Sequence, residues 1–388
     1  MPVINRIADF SDDMTAWRRD FHAHPETAFE EKRTSDIVAA KLGEFGIEVH
    51  RGLATTGVIG TLSTGPGPSI GLRADLDALD VEELNNFDYK STHYGKMHAC
   101  GHDGHTAMLL GAARYLAETQ KFKGTVQFIF QPAEENEGGG RVMIEEGLFE
   151  KFPVDAVYGM HNWPGQEAGL FAVTDGPLMA SFDIFKLTIT GHGAHGGMPH
   201  RGIDPIPVAA EIISALQTIV SRAIDPVDSA VITVTQVHAG NAWNIIPDSV
   251  LLCGTARSFK PEVQNVQELA IRRIATGICQ AHNCKLEMMY QRRYPPTVND
   301  TQATKAAARA AEDVSGPKKI IINPTPSMGS EDFAFMLNEK PGCYVWIGNG
   351  SVEGGCMLHN PNYDFNDDIL AIGASYWARL VETELAQD

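Results

Sequence analysis

Basic residues are scarce in this chain. Lys and Arg number 31 against 49 Asp and Glu, a formal net charge of -18 over 388 residues, and no basic run or aromatic-interleaved Lys/Arg stripe occurs. A surface of that sign repels polyanions, which makes nucleic acid and anionic membrane poor partners. No stretch reads as approaching the roughly 18 apolar residues of a membrane span, and the opening MPVINRIADFSDDMTAWRRDF carries acids where a secretory leader needs an apolar core. The expectation is a soluble, cytoplasmic protein. Cysteine is sparse as well. Cys100, Cys253, Cys279, Cys284, Cys343 and Cys356 are scattered without the density of a secreted disulfide scaffold. Three catalytic signatures are missing: G-x-S-x-G, G-x-x-x-x-G-K-[ST], and a G-x-G-x-x-G ahead of a helix in a βαβ unit, a context that GHGAHGG lacks.

What is present is ordinary globular material, 43% hydrophobic, at a length that favours two domains. DDMTAWRRDFHAHPE and EEKRTSDIVAAKLGEFG predict helices. GVIGTLS and SIGLRADL predict strands, HTAMLLGAARYLAETQ a helix, GTVQFIFQ a strand stopped by Pro132, GGRVMIEEGLF a helix and VDAVYGM a strand. Alternating strands and helices predict an α/β fold with a mostly parallel sheet. From Phe182 the order becomes β-α-β-β-α-β, a split βαβ unit able to fold by itself, after which the α/β pattern resumes. The predicted organisation is one α/β domain of residues 1–181 and 296–388 interrupted by an inserted domain of ferredoxin-like βαββαβ order, residues 182–295.

Ligands of open α/β sheets collect beyond the carboxyl ends of strands. There this sequence places Asp75 and Asp77, Glu134 and Glu135, and His161, with His359 in a following loop. Cys100 and His102 are two apart, so in an extended segment they point to one side and can share a metal ion; thiolate plus imidazole suits zinc. Manganese, cobalt and nickel are alternatives. Asp103 can cap the next helix or orient His102. The bland alternative is a buried thiol beside polar loop histidines, and His98 and His105 are weaker candidates.

Adjacent Glu134 and Glu135 face opposite ways if extended, so one can bind metal while the other serves as general base to an attacking water. His161 and His359 each precede Asn and a turn-forming Pro, as loop histidines do. One thiolate, three imidazoles and a carboxylate exceed a closed four-ligand structural site, and two divalent ions accommodate the surplus. Further along, GHGAHGGMPH offers His192, His195 and His200 for an oxyanion, Asn244 and Arg257 can grip a substrate carboxylate, and SMGSEDF offers Ser330 as a substrate contact or a helix N-cap.

Taken in order, RRDFHAHPE, RADLDAL, HACGHDGHTAMLLGAA, QPAEENEGGGRVMIEEG, GMHNWPG, GHGAHGGMPH, GSEDF and LHNPNYDFND resemble the metal-dependent amidohydrolases that include hippurate hydrolases, auxin-amino-acid conjugate hydrolases and N-acyl-amino-acid hydrolases. These are a branch of the dinuclear-metal exopeptidases, and the resemblance runs from about Trp17 to Asn366. It implies a lid domain that often dimerises, giving a homodimer or homotetramer, and metal ligands at Cys100, His102, Glu135, His161 and His359. It also implies a general base at Glu134, oxyanion assistance from His195, and substrate contacts at Asn244 and Arg257. The implied substrate is a small N-acyl-amino acid. Asp80 departs from the proline that relatives commonly carry there. A dipeptidase or N-acetyl-precursor deacetylase with the same site, and a non-catalytic metal-binding module, are the alternatives.

Overall fold

The structure is a computed structural model that describes residues 3–135, 137–352 and 357–387; Cys356 lies outside them. The chain forms two compact units, one of residues 1–176, 298–325 and 332–388 and one of residues 177–297 and 326–331. The crossings fall at 176/177 and 297/298, a few residues from the sequence expectation, and the segment carrying Ser330 clusters with the second unit.

The first unit is built on an eight-stranded sheet. In spatial order its strands are Glu48–Leu53, Gly57–Ser63, Thr125–Gln131, Ser69–Asp75, Ala156–Pro164, Gly342–Gly350, Phe171–Val173 and Ile320–Ile322. The four central strands run parallel, and antiparallel pairings occur toward the two edges. The central strands are buried along nearly their whole length, which is why they read as continuous apolar runs rather than alternating ones. Helices Ser11–Ala23, His102–Thr119, Thr301–Ser315 and Leu370–Glu384 pack on one another, and their buried faces join the sheet in one apolar core.

The chain leaves Ser69–Asp75 through His102–Thr119 to Thr125–Gln131 on one flank, then returns to Ala156–Pro164 on the other. The carboxyl ends of these three strands therefore surround the point where strand order reverses, the place where such sheets hold ligands.

The predicted GGRVMIEEGLF helix is two short ones, Gly139–Glu145 and Leu148–Lys151, broken at left-handed Gly147. Gly139 has no room for a side chain, because a Cβ there would collide with the Pro132 carbonyl.

The second unit has a four-stranded antiparallel sheet ordered Ala230–Ala239, Ser249–Ser258, Phe182–Thr190, Lys285–Tyr294, with helices Pro205–Thr218 and Pro261–Ala281 around its own core. A separate two-stranded ribbon joins Ala194–His195 to Ile245–Ile246. The expectation of no sufficiently apolar stretch needs correction, since Pro205–Ala223 is long and apolar enough to cross a membrane by length and composition. In the fold its apolar stripe is already used: Val208, Ile212, Leu216 and Ile219 are buried in this unit's core.

Candidate metal centre

The site begins at the end of Ser69–Asp75. Arg73 and Asp75 are both buried, and the guanidinium donates to Asp75 Oδ2 (2.8 Å), Gln131 Oε1 (2.9 Å) and Asp332 Oδ1 (2.9 Å). A buried cation so surrounded is neutralised by the two carboxylates it orders. Asp75 Oδ1 is 2.6 Å from His105 Nδ1, and His105 Nε2 accepts from the Asn162 N–H at 2.9 Å. His105 therefore has both ring nitrogens engaged and supports the site rather than entering it.

Cys100, Gly101 and His102 are not extended as the spacing suggested. Gly101 is left-handed (φ 92°) and His102 opens the next helix. The turn still brings Cys100, His102 and His161 together, with their donor atoms within 4.8 Å of one another. Only glycine fits at 101, because a Cβ would run into the Asn162 amide and the Tyr363 hydroxyl. Asp103 neither caps the helix nor reaches His102. Its Oδ2 lies 2.8 Å from His22 Nδ1 and 3.6 Å from Arg18 Nη1. Asp77 does the orienting instead: His102 Nδ1 stands 2.9 Å from the Asp77 carbonyl and 3.3 Å from its Oδ1.

Glu134 and Glu135 occupy a turn rather than an extended segment. Glu134 is 6% exposed and accepts from the Asp332 N–H at 3.3 Å, while the Glu135 N–H donates to Asp77 Oδ2 at 2.9 Å. Glu135 joins Cys100 and His359 in one donor cluster, and both glutamates join His102 in another.

His161 lies within the Ala156–Pro164 strand and not in a loop, paired in register with Trp346. Its Nδ1 faces the Asn162 carbonyl (2.6 Å) and its Nε2 faces Cys100 Sγ (3.4 Å). His359 does lie outside regular structure, left-handed at φ 64°, with its N–H on the Ala99 carbonyl (2.7 Å) and Nε2 3.1 Å from Glu135 Oε1.

These residues suit divalent cations. His102 Nε2 is buried with no hydrogen-bond partner, while its Nδ1 is fixed by Asp77, the arrangement of a metal-ligating imidazole. Burial, Glu135, Glu134 and Asp75 together push the Cys100 thiol well above its usual pKa, so a thiolate forms there only against a cation. Burial lowers His102, but Asp75, Asp77 and Glu135 outweigh it and raise the ring to about 10; positive charge is what this pocket favours. Burial also drives His161 well below the ordinary imidazole range, leaving it neutral and able to ligate.

Sequence reasoning passed over several supports. Tyr363 donates to Asn162 Oδ1 (2.6 Å), and the Asn162 amide donates to the Cys100 carbonyl (2.6 Å). Arg18, fully buried, meets Asp364 (2.9 Å) and Asp367 (2.7 Å) beside the His22–Asp103 pair. All of these residues lie inside the quoted motifs, but nothing in spacing alone marks them.

In the second unit, His195 and Asn244 come together on the ribbon, where Gly196 N–H donates to the Asn244 carbonyl (2.8 Å) and His195 pairs with Ile245. Arg257 is half-buried, stacked on Phe182 with Nη1 donating to the Met328 carbonyl (2.9 Å). Ser330 is not an N-cap. The helix starts at Phe333 behind Asp332, whose carboxylate is spent on Arg73, Gln131 and the Gly140 N–H.

Comparison with known proteins agrees with this chemistry. Hippurate hydrolase of Campylobacter jejuni is 42% identical over 381 residues, 98% of each chain. IAA-amino acid hydrolase ILR1-like 4 of Arabidopsis thaliana is 38% identical over 392 residues, 98% of this chain and 87% of the relative. The crystal structure of the Bacillus subtilis YXEP protein, described as a dinuclear metal binding peptidase, superimposes with a TM-score of 0.85 at 36% identity, covering 97% and 99% of the two chains. The profile of peptidase family M20/M25/M40 matches residues 71–383, and the chain belongs to that family.

Proposed function

We propose that this protein is a metal-dependent amidohydrolase that splits the amide bond of N-acyl-amino acids into a carboxylic acid and a free amino acid. One observation carries it: three donor clusters at the switch point of the sheet are linked pairwise by Cys100, His102 and Glu135, and Glu134 belongs to one of them. The hippurate and auxin-conjugate hydrolases it resembles support the substrate class.

Cys100, His102, Glu135, His161 and His359 would hold two divalent ions, zinc by the preference of thiolate and imidazole, which when bound supply Lewis acidity and an acidified water. Glu134 takes the proton of the attacking water as its oxygen bonds to the carbonyl carbon. It then gives that proton to the amine nitrogen as the C–N bond breaks. His195 donates to the oxyanion, and Arg257 with Asn244 holds the substrate carboxylate, Arg257 having no carboxylate in hydrogen-bonding contact among the described residues. Ser330 stands as a further substrate contact. We assign residues 182–295 the part of a ferredoxin-like lid that also joins subunits into a homodimer or homotetramer. A thiol ligand and free cysteines elsewhere favour a reducing, cytoplasmic setting.

The test is Glu134→Gln, assayed on benzoyl-, acetyl- and indoleacetyl-amino acids and on dipeptides after reloading with each ion. Turnover should vanish while metal content stays; wild-type turnover would remove Glu134 from its role. Cleavage of dipeptides alone would replace the substrate class.

A further inference from the structure

We propose that Glu31 is a positioning residue that holds Glu134 in place by clamping the left-handed turn at Ala133. This rests on Glu134 being the general base.

Glu31 occupies the N-cap position of the Lys32–Glu44 helix, where an acidic side chain ordinarily accepts from the first free N–H groups. It makes no such bond. Glu26 does that work, accepting from Arg33 N (3.0 Å) and Thr34 N (2.8 Å). Glu31 is fully buried, and its carboxylate turns toward the site: Oε1 accepts from Ala133 N (3.0 Å) and Phe29 N (3.1 Å), and Oε2 from Thr56 Oγ1 (2.6 Å).

Two of the residues it holds are in a backbone region that L-residues disfavour. Ala133 has φ 56° and Phe29 has φ 61°, and the loop leading to Thr56 adds Ala54 (φ 47°) and Thr55 (φ 70°). Conformations of this kind persist where surrounding bonds over-determine them, and they collect at functional sites. Ala133 directly precedes Glu134. On the far side, the Glu135 N–H is held by Asp77 Oδ2 at 2.9 Å. The backbone is thus gripped by a buried carboxylate on each side of Glu134, and neither carboxylate is a donor in the clusters that contain it.

A carboxamide keeps one oxygen for the two N–H donors while the Thr56 hydroxyl reverses to accept, so Glu31→Gln preserves the clamp. Glu31→Asp is one methylene shorter and cannot span all three partners. With benzoyl-glycine as probe, Glu31→Asp is expected to lower kcat by about 10-fold or more at nearly unchanged KM and metal content, and Glu31→Gln to stay within about 3-fold. A purely structural role would instead lower Tm and leave kcat per folded molecule intact. Wild-type kcat in Glu31→Asp, or a loss explained wholly by missing metal, overturns the proposal. If Glu31→Asp does not fold, Thr56→Val removes one of the three bonds and should reduce kcat in the same sense; unchanged kcat there overturns it equally. Glu134→Gln run alongside separates the two claims. If it is inactive while Glu31→Asp is wild-type, only the clamp fails, and if it is active, the general-base role fails first.

Discussion

Asp77 grips His102 with both its main chain and its side chain, and with its second carboxylate oxygen it takes the N–H of Glu135. One buried residue fixes the ring of one candidate ligand and the backbone of another. Asp77→Asn places an amide donor against one of these two donors and so breaks one grip. Metal affinity, read by chelator competition, should fall by about 10- to 100-fold, the usual effect of losing such a partner; unchanged affinity would exclude the orienting role.

Cys100 belongs to two of the donor clusters, one with His102 and His161 and one with Glu135 and His359. Cys100→Ala should therefore weaken both ion sites together, whereas His359→Ala should weaken one. Elemental analysis of dialysed protein checks this. Two tightly bound ions per chain in Cys100→Ala would show that the thiol is not shared.

Gly101 adopts φ 92° against Asn162 and Tyr363. Gly101→Ala adds about 1–3 kcal/mol of backbone strain before any clash is counted. The melting temperature and the metal content are expected to drop together, because the glycine sits between two candidate ligands.

His22 is buried between Asp103 and Glu83. Burial lowers its pKa, but hydrogen bonds to Asp103 and Glu83 prevail and raise it to about 9. A raised histidine contributes stability that is full below its unfolded value, about 6.5, and is lost as pH rises through 9. On the order of 3 kcal/mol is at stake. Thermal melts between pH 6 and 10 should show this decline in the wild type and a flatter profile in His22→Gln; parallel profiles would assign the alkaline loss to another group.

Arg257 stacks on Phe182 and points one nitrogen at the Met328 carbonyl. If it receives the substrate carboxylate, Arg257→Ala should raise KM by roughly 10-fold or more with a smaller change in kcat, since binding shared by ground and transition states acts on KM. A change confined to kcat would place it elsewhere in the reaction.

Much of the fold was legible in the residues. Strands of the large sheet stand out as short apolar runs closed by Gly, Pro or acids, and GVIGTLS and TVQFIFQ lie within a residue of their predicted ends. The errors share a cause. His161 reads as a loop residue because Asn162 and Pro164 follow it, yet pairing with Gly342–Gly350 carries the strand to Pro164. The SMGSEDF segment reads as a helix cap, yet Asp332 is drawn to Arg73, 259 residues away. Glu31 lies at the start of the predicted EEKRTSDIVAAKLGEFG helix, yet its carboxylate is taken by Phe29, Thr56 and Ala133, the last of them 102 residues on.

The sequence by itself determined the donor types, their places after strands, and the change of rhythm near Phe182, because these depend on side-chain chemistry and on periodicities set within a few residues. Tertiary structure alone decided which imidazole nitrogen remains unbonded, which carboxylates support rather than ligate, and where left-handed backbone is imposed. Those outcomes depend on hydrogen bonds and close contacts between residues tens to hundreds of positions apart, and no local pattern encodes them.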